Sequence, residues 1–205
     1  MRGRVVIDPE RPSSELLDQA AVILRESGVI AYPTETFYAL GARAQDAAAR
    51  ARVSSLKGRD ESKLLPLIAA DLEQVLRIAE EPHAAVEKLA SRFWPGPLTL
   101  VLPARPGLWG WPTLAVRVSS SAVAREIARR IGGPVTATSA NRSGELPAET
   151  ADAVEAEFGS KVDLILDGGR TPGGAPSTIV DLSEGEPVLV RPGAVDFEAI
   201  LQALA

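Results

Sequence analysis

The sequence predicts an α+β fold: a mixed, twisted β-sheet with antiparallel hairpins and helices packed on it. Three observations carry this. Helical periodicity and short apolar runs intermingle along the whole chain. Two strand pairs, 98–102 with 114–118 and 177–182 with 187–191, leave no room for the dozen or so residues that a parallel crossover needs. No internal repeat, low-complexity tract or linker divides the 205 residues, so 1–205 is expected as a single domain.

Taken in order, residues 5–8 read as a short strand. Ser13 or Ser14 caps a helix in which Leu16, Leu17, Ala20, Ile23 and Leu24 recur at helical spacing, and Gly28 is expected at its left-handed C-terminal position. A buried strand follows over 29–32, broken by Pro33. Asp46 caps a second helix reaching about Leu56, so Lys57 and Arg59 fall at or just beyond its end. Residues 64–69 form a strand, and 71–79 and 82–92 helices, the second with proline in its first turn. The hairpin strands 98–102 and 114–118 flank a Pro/Gly/Trp loop. Ser120 or Ser121 then caps a helix ending at Gly132, and a strand over 134–138 runs into Ser139-Ala140-Asn141. A helix over 149–158, strands at 163–167, 177–182 and 187–191, and a helix from about Asp196 complete the chain.

Composition narrows the chemistry. With no cysteine, there is no disulfide, thiolate metal site or cysteine nucleophile. The one histidine, His83, has no ligand cluster around it, so no metal site is expected. No apolar run approaches a membrane span and the N-terminus lacks a signal-peptide core, which makes the cytoplasm the expected location. A net charge of −5 argues against a dedicated nucleic-acid binder but leaves room for a local basic cleft and weak RNA contact.

What remains is cations, hydroxyls and backbone amides. Lys57-Gly58-Arg59, with Lys63 close behind, places three cations around a glycine, as suits a polyphosphate; helix C-capping explains the same residues. Ser139-Ala140-Asn141 follows a strand end, where free amides and hydroxyls can face an anion or merely form a turn. Tyr32-Pro33-Thr34-Glu35-Thr36 offers two hydroxyls and a carboxylate at another strand end, a plain loop exit being the simpler account. The four glycines of 168–174 allow close approach to a ligand, a mobile flap or a long turn. Arg117, inside an apolar strand, needs a partner: a ligand anion or a structural salt bridge.

These segments, in this order, resemble the YrdC-like family of threonylcarbamoyl-AMP synthases from about Ser13 to Gly193. The marks are Tyr-Pro-Thr-Glu-Thr from Tyr32, Lys57-Gly-Arg59, Phe-Trp-Pro-Gly-Pro-Leu-Thr from Phe93, Ala-Val-Arg ending at Arg117, Ser-Ala-Asn-Arg-Ser-Gly from Ser139, Asp-Gly-Gly from Asp167, Ser-Thr-Ile-Val-Asp from Ser177 and Arg-Pro-Gly from Arg191. The resemblance implies a nucleotidyltransferase that makes L-threonylcarbamoyladenylate and pyrophosphate from L-threonine, bicarbonate and ATP, with Mg2+ as the counterion of ATP. The product would pass to proteins that transfer the threonylcarbamoyl group to tRNA. It further implies Lys57 and Arg59 as catalytic residues. Arg59, Lys63, Thr113, Ser139, Asn141 and Arg191 would be ATP contacts, and Thr34, Arg117 and Ser177 the threonine pocket. Ala39, Asp60, Ile68, Ala137, Pro147 and Pro176 depart from the residues common in the family. The competing reading is a non-catalytic RNA-binding or ribosome-associated protein of the same fold.

Overall fold

The computed structural model describes residues 3–60, 64–80 and 83–205. The expected helices form, most of them for the expected local reasons; α1 is the exception, since its N-cap residue Ser13 makes no side-chain capping hydrogen bond. Helix α1 (Ser14–Arg25) buries Leu17, Ala20, Ala21 and Leu24 on one face. Helix α2 (Ala47–Lys57) starts where the Asp46 side chain accepts from the Ala49 N–H, and α3 (Leu72–Ile78) starts where Asp71 accepts from Gln74 in the same way. Helix α4 spans His83–Phe93. Ser121 caps α5 (Ala122–Arg130) and Thr150 caps α6 (Ala151–Phe158), while α7 (Phe197–Leu204) follows Asp196.

Among the described residues the strands form two sheets rather than one. The first orders β1 (Gly3–Val6), β9 (Leu164–Asp167), β2 (Ile30–Pro33), β3 (Tyr38–Gly41) and β8 (Thr138–Ser139). The second orders β11 (Val188–Arg191), β10 (Thr178–Asp181), β5 (Leu98–Pro103), β6 (Thr113–Val118), β4 (Leu67–Ala69) and β7 (Val135–Thr136). Both are mixed. The two short connections make the antiparallel pairs β5–β6 and β10–β11, whereas β10–β5 and β4–β6 run parallel. Alternation along β2 shows how the first sheet is buried on both faces: Ile30 and Tyr32 pack with α1 and α5, Ala31 with α2 and α6. A third cluster joins Leu98, Leu100, Leu102, Leu114 and Val116 of the second sheet to Val75, Val86, Leu89 and Ile200 from α3, α4 and α7.

Four local expectations are corrected. The first strand covers Gly3–Val6, pairing in register with Leu164–Asp167, rather than 5–8. The left-handed residue after α1 is Ser27, at φ 62°, while Gly28 is needed for proximity: a Cβ there would lie 2.6 Å from the Ile23 carbonyl oxygen. Strand β3 lies where no strand is expected from the sequence. The expected strand at 134–138 is two, and the chain crosses from the second sheet to the first at Ala137, whose N–H donates to the Pro66 carbonyl. That crossing brings the two sheets together around the site.

Candidate functional site

The turn between β2 and β3 is closed by its own first side chain. The Thr34 hydroxyl donates to the Phe37 carbonyl at 2.6 Å and accepts from the N–H groups of Thr36 and Phe37. This aims Glu35 at the second sheet. Its carboxylate accepts from Arg117 Nε at 3.1 Å and from the Ser119 hydroxyl. Arg117 and Ser119 share a face because side chains alternate along β6. Ser119 also accepts from the Ser121 N–H, so both of its hydrogen-bonding roles are filled. Burial pushes the Glu35 carboxyl up, but the Arg117 charge and the Ser119 hydrogen bond outweigh it and hold the group below the usual carboxylate range.

Arg117 is 4% exposed. Of the two partners that the sequence leaves open for Arg117, the structural salt bridge is present. Nε is committed to Glu35, while Nη1 and Nη2 have no protein partner among the described residues, and Arg117 lines a cavity of about 460 Å³.

The opposite wall comes from the end of α2. Gly58 takes the left-handed conformation, φ 59° and ψ 36°, that ends the helix, and the Arg59 N–H returns to the Ser54 carbonyl. Lys57 is 4% exposed, and its ammonium donates to the Ser139 carbonyl at 2.5 Å, the Asn141 carbonyl at 2.8 Å and Asn141 Oδ1 at 3.3 Å. Burial, followed by the Arg59 charge, lowers it to about 8. The Lys57 carbonyl accepts from the Ser143 N–H, and Asn141 Nδ2 donates to the carbonyls of Arg142 and Glu145. The two motifs that stand apart in the sequence are therefore one unit, with Lys57 as its internal tie. Arg59 is left facing the cavity. One Nη donates to the Leu64 carbonyl, and its Nε is buried with no partner among the described residues. Burial lowers its pKa.

From the second sheet, Arg191 donates through Nε and Nη2 to the Ser177 carbonyl and through Nη2 to the Ser177 hydroxyl, which also shares a hydrogen bond with Thr99 Oγ1. Burial and then the Arg117 charge lower the pKa of Arg191. The glycine-rich segment is anchored beside them: Tyr38 Oη donates to the Gly169 carbonyl, and the Gly173 N–H to the Thr36 carbonyl.

Eight of the ten residues singled out from the sequence line this cavity: Thr34, Lys57, Arg59, Arg117, Ser139, Asn141, Ser177 and Arg191. Thr113 does not. It pairs with Pro103 at the far end of β6 from Arg117. Lys63 falls outside the described residues. Glu35 and Ser119 carry site geometry that the sequence reading leaves unassigned; the signal available was Glu35's place in the Tyr32–Thr36 segment. The sequence also gave no sign that the hydroxyl of Thr34 is spent on its own turn.

Residues 22–193 match the Sua5–YciO–YrdC family, whose description is telomere recombination. The threonylcarbamoyl-AMP synthase of Pyrococcus abyssi is 42% identical over 186 residues, which make up 88% of this chain and 55% of that protein. The threonylcarbamoyl-AMP synthase of Chromobacterium violaceum is 42% identical over 182 residues, 86% of this chain and 94% of that protein. The crystal structure of Pyrococcus abyssi Sua5 complexed with L-threonine superposes with a TM-score of 0.90 at 39% identity, covering 97% of this chain and 60% of that one. The chain thus spans little more than half the length of the archaeal relative and nearly all of the C. violaceum one.

Proposed function

We propose that this chain, which belongs to the Sua5–YciO–YrdC family, is an L-threonylcarbamoyladenylate synthase acting on L-threonine, bicarbonate and ATP. The observation that carries the reading is the convergence of Arg59, Arg117 and Arg191 on one cavity with the Ser139 and Ser177 side chains. That donor set has room for two anions, a polyphosphate and an amino-acid carboxylate. The complex of the archaeal relative with L-threonine supports the choice of amino acid.

The chemistry asks for no protein nucleophile. Bicarbonate takes up a proton and loses water to give carbon dioxide. The threonine amine adds to its carbon and releases a proton, forming a carbamate. A carbamate oxygen attacks the α-phosphorus, the bond to the bridging oxygen of the β-phosphate breaks, and pyrophosphate leaves. The protein contributes positioning and stabilisation of phosphate charge. Arg59, whose buried Nε has no partner among the described residues, and Arg191 grip the triphosphate, and the Ser139 hydroxyl adds a neutral donor. Lys57 and Asn141 hold the turn that presents Ser139. Arg117 receives the threonine carboxylate through its two Nη groups, with Ser177 and the Thr34 turn shaping that end. Lys63 keeps the triphosphate role that the resemblance implies. Among the described residues the lining offers hydroxyls and amides but no Asp or Glu, which fits a Mg2+ ion that arrives on ATP and stays with its phosphates.

Product transfer to tRNA-modifying proteins, a cytoplasmic location and a single domain over 1–205 belong to the same proposal. Among the described residues, no helix is long and apolar enough to cross a membrane. The test is to incubate the protein with MgATP, bicarbonate and L-threonine, following pyrophosphate and the adenylate mass. Threonine-dependent formation of both is expected, with loss of turnover in Arg59→Ala. A folded protein that forms neither would refute the synthase reading.

A further inference from the structure

The cavity holds three guanidiniums and, on the reading above, must sort two anions of very different charge. A triphosphate or pyrophosphate carries several negative charges, a threonine carboxylate one. Arg117 lines the same cavity as Arg59 and Arg191, and its charge lowers the pKa of Arg191. An unmodified Arg117 would therefore compete with Arg59 and Arg191 for phosphate oxygens. One carboxylate stands against this. Glu35 is held on both oxygens, by Arg117 Nε and by the Ser119 hydroxyl, and Ser119 is itself fixed by the Ser121 N–H. Ser121 Oγ in turn donates to the Pro33 carbonyl, tying the hairpin that carries Glu35 to the end of β6. Glu35 is therefore locked in place, and it is absent from the cavity lining while Arg117 is part of it.

We propose that Glu35 is a specificity-determining positioning residue that reserves Arg117 for the amino-acid carboxylate. Its charge offsets that of Arg117, so the polyanion is drawn to Arg59 and Arg191. Its bond to Nε turns the two Nη groups into the cavity, where a single carboxylate can take both. Glu35 touches no reacting atom and acts through Arg117. This inference rests on the synthase reading.

The test measures L-threonine binding by calorimetry with and without saturating magnesium pyrophosphate, in the native protein, Glu35→Gln and Glu35→Asp. In the native protein, pyrophosphate should shift the threonine Kd by less than about threefold. In Glu35→Gln, pyrophosphate should invade the Arg117 end and raise the threonine Kd by about tenfold or more, a coupling of ordinary size for adjacent sites. Glu35→Asp, which keeps the charge, should behave as the native protein does. A merely structural role would weaken both ligands without creating competition between them. Competition already present in the native protein, or absent from Glu35→Gln, overturns the proposal and leaves the synthase reading standing. Native protein that binds neither threonine nor pyrophosphate overturns the synthase reading and this inference with it. Loss of the fold in both variants assigns Glu35 to the scaffold and also overturns it.

Discussion

An ammonium group has three N–H bonds, and at Lys57 each has a protein oxygen within reach, two at Asn141 and one at Ser139. The residue that looks most like a phosphate ligand is thus the tie of the turn that carries Ser139. Its folded pKa of about 8 lies below its ordinary 10.5, chiefly through burial. Between those values the unfolded chain holds more protons than the folded one, so the contribution of Lys57 to stability rises with pH across that window. Turnover should run the other way. Losing a proton leaves two N–H bonds for three acceptors and loosens the turn. We expect the kcat profile to fall near pH 8 while the urea midpoint gains from the same ionisation. Lys57→Met should lack both features and turn over about a hundredfold more slowly, the scale of loss when positioning slips by an ångström. Parallel pH profiles for native and variant would remove Lys57 from this role. The motif Lys57-Gly58-Arg59 is legible in the sequence, but the division of labour inside it is not. Nothing local says that the carbonyls of residues 139 and 141 will fold onto Lys57 and leave Arg59 facing the cavity.

At the scale of elements, the helix starts at Asp46, Asp71 and Ser121 are legible because an N-cap is a contact between near neighbours. Strand β3 is not. Tyr38-Ala39-Leu40-Gly41 has little strand propensity and becomes a strand because β2 and β8 flank it. The break at Ala137 is hidden for the same reason, since two sheets compete for one apolar run. One helix cap and one glycine then make contrasting predictions. Asp46→Ala removes a cap remote from the cavity and should cost about 1 kcal/mol of stability by urea denaturation, with KM for threonine and ATP unchanged. Gly193→Ala should do the reverse of sparing the site. Its Cβ would lie 2.3 Å from the Pro176 carbonyl oxygen and 2.5 Å from the Thr178 nitrogen, both backbone atoms that cannot step aside. The start of β10 must move, carrying Ser177 away from Arg191. About 1–3 kcal/mol of strain is expected, together with a raised threonine KM. A Gly193→Ala variant with native kinetics would show that the Ser177–Arg191 contact does not shape the pocket.

For the whole molecule, the division between sheets matters most. The first sheet and its attached α2 supply Thr34, Lys57, Arg59, Ser139 and Asn141, while the second supplies Arg117, Ser177 and Arg191. The Glu35–Arg117 ion pair and the continuous chain through Ala137 join the halves. The sequence shows both sets of residues but not that separate sheets present them across a common gap. Around that gap the protein carries a net charge of −5, so the basic cavity is a local feature on an acidic body. This favours the proposed synthase reading over the RNA-binding alternative, since a surface that grips nucleic acid non-specifically needs an extended basic face. On the proposed synthase reading, it also makes the two substrates respond differently to salt. MgATP brings a large negative charge to the cavity, whereas threonine in solution is a zwitterion with no net charge. Raising ionic strength from about 0.05 M to roughly 0.5 M shortens the Debye length from above 10 Å to a few ångströms. That should weaken the pull of Arg59 and Arg191 on the approaching triphosphate far more than the short-range grip of Arg117 on a carboxylate already inside. We expect KM for ATP to rise severalfold over that range while KM for threonine changes by less than about twofold, as for a ligand without net charge. Equal salt responses would mean that the arginines do not divide the two ligands between them, and the assignment of Arg59 and Arg191 to phosphate would have to be abandoned.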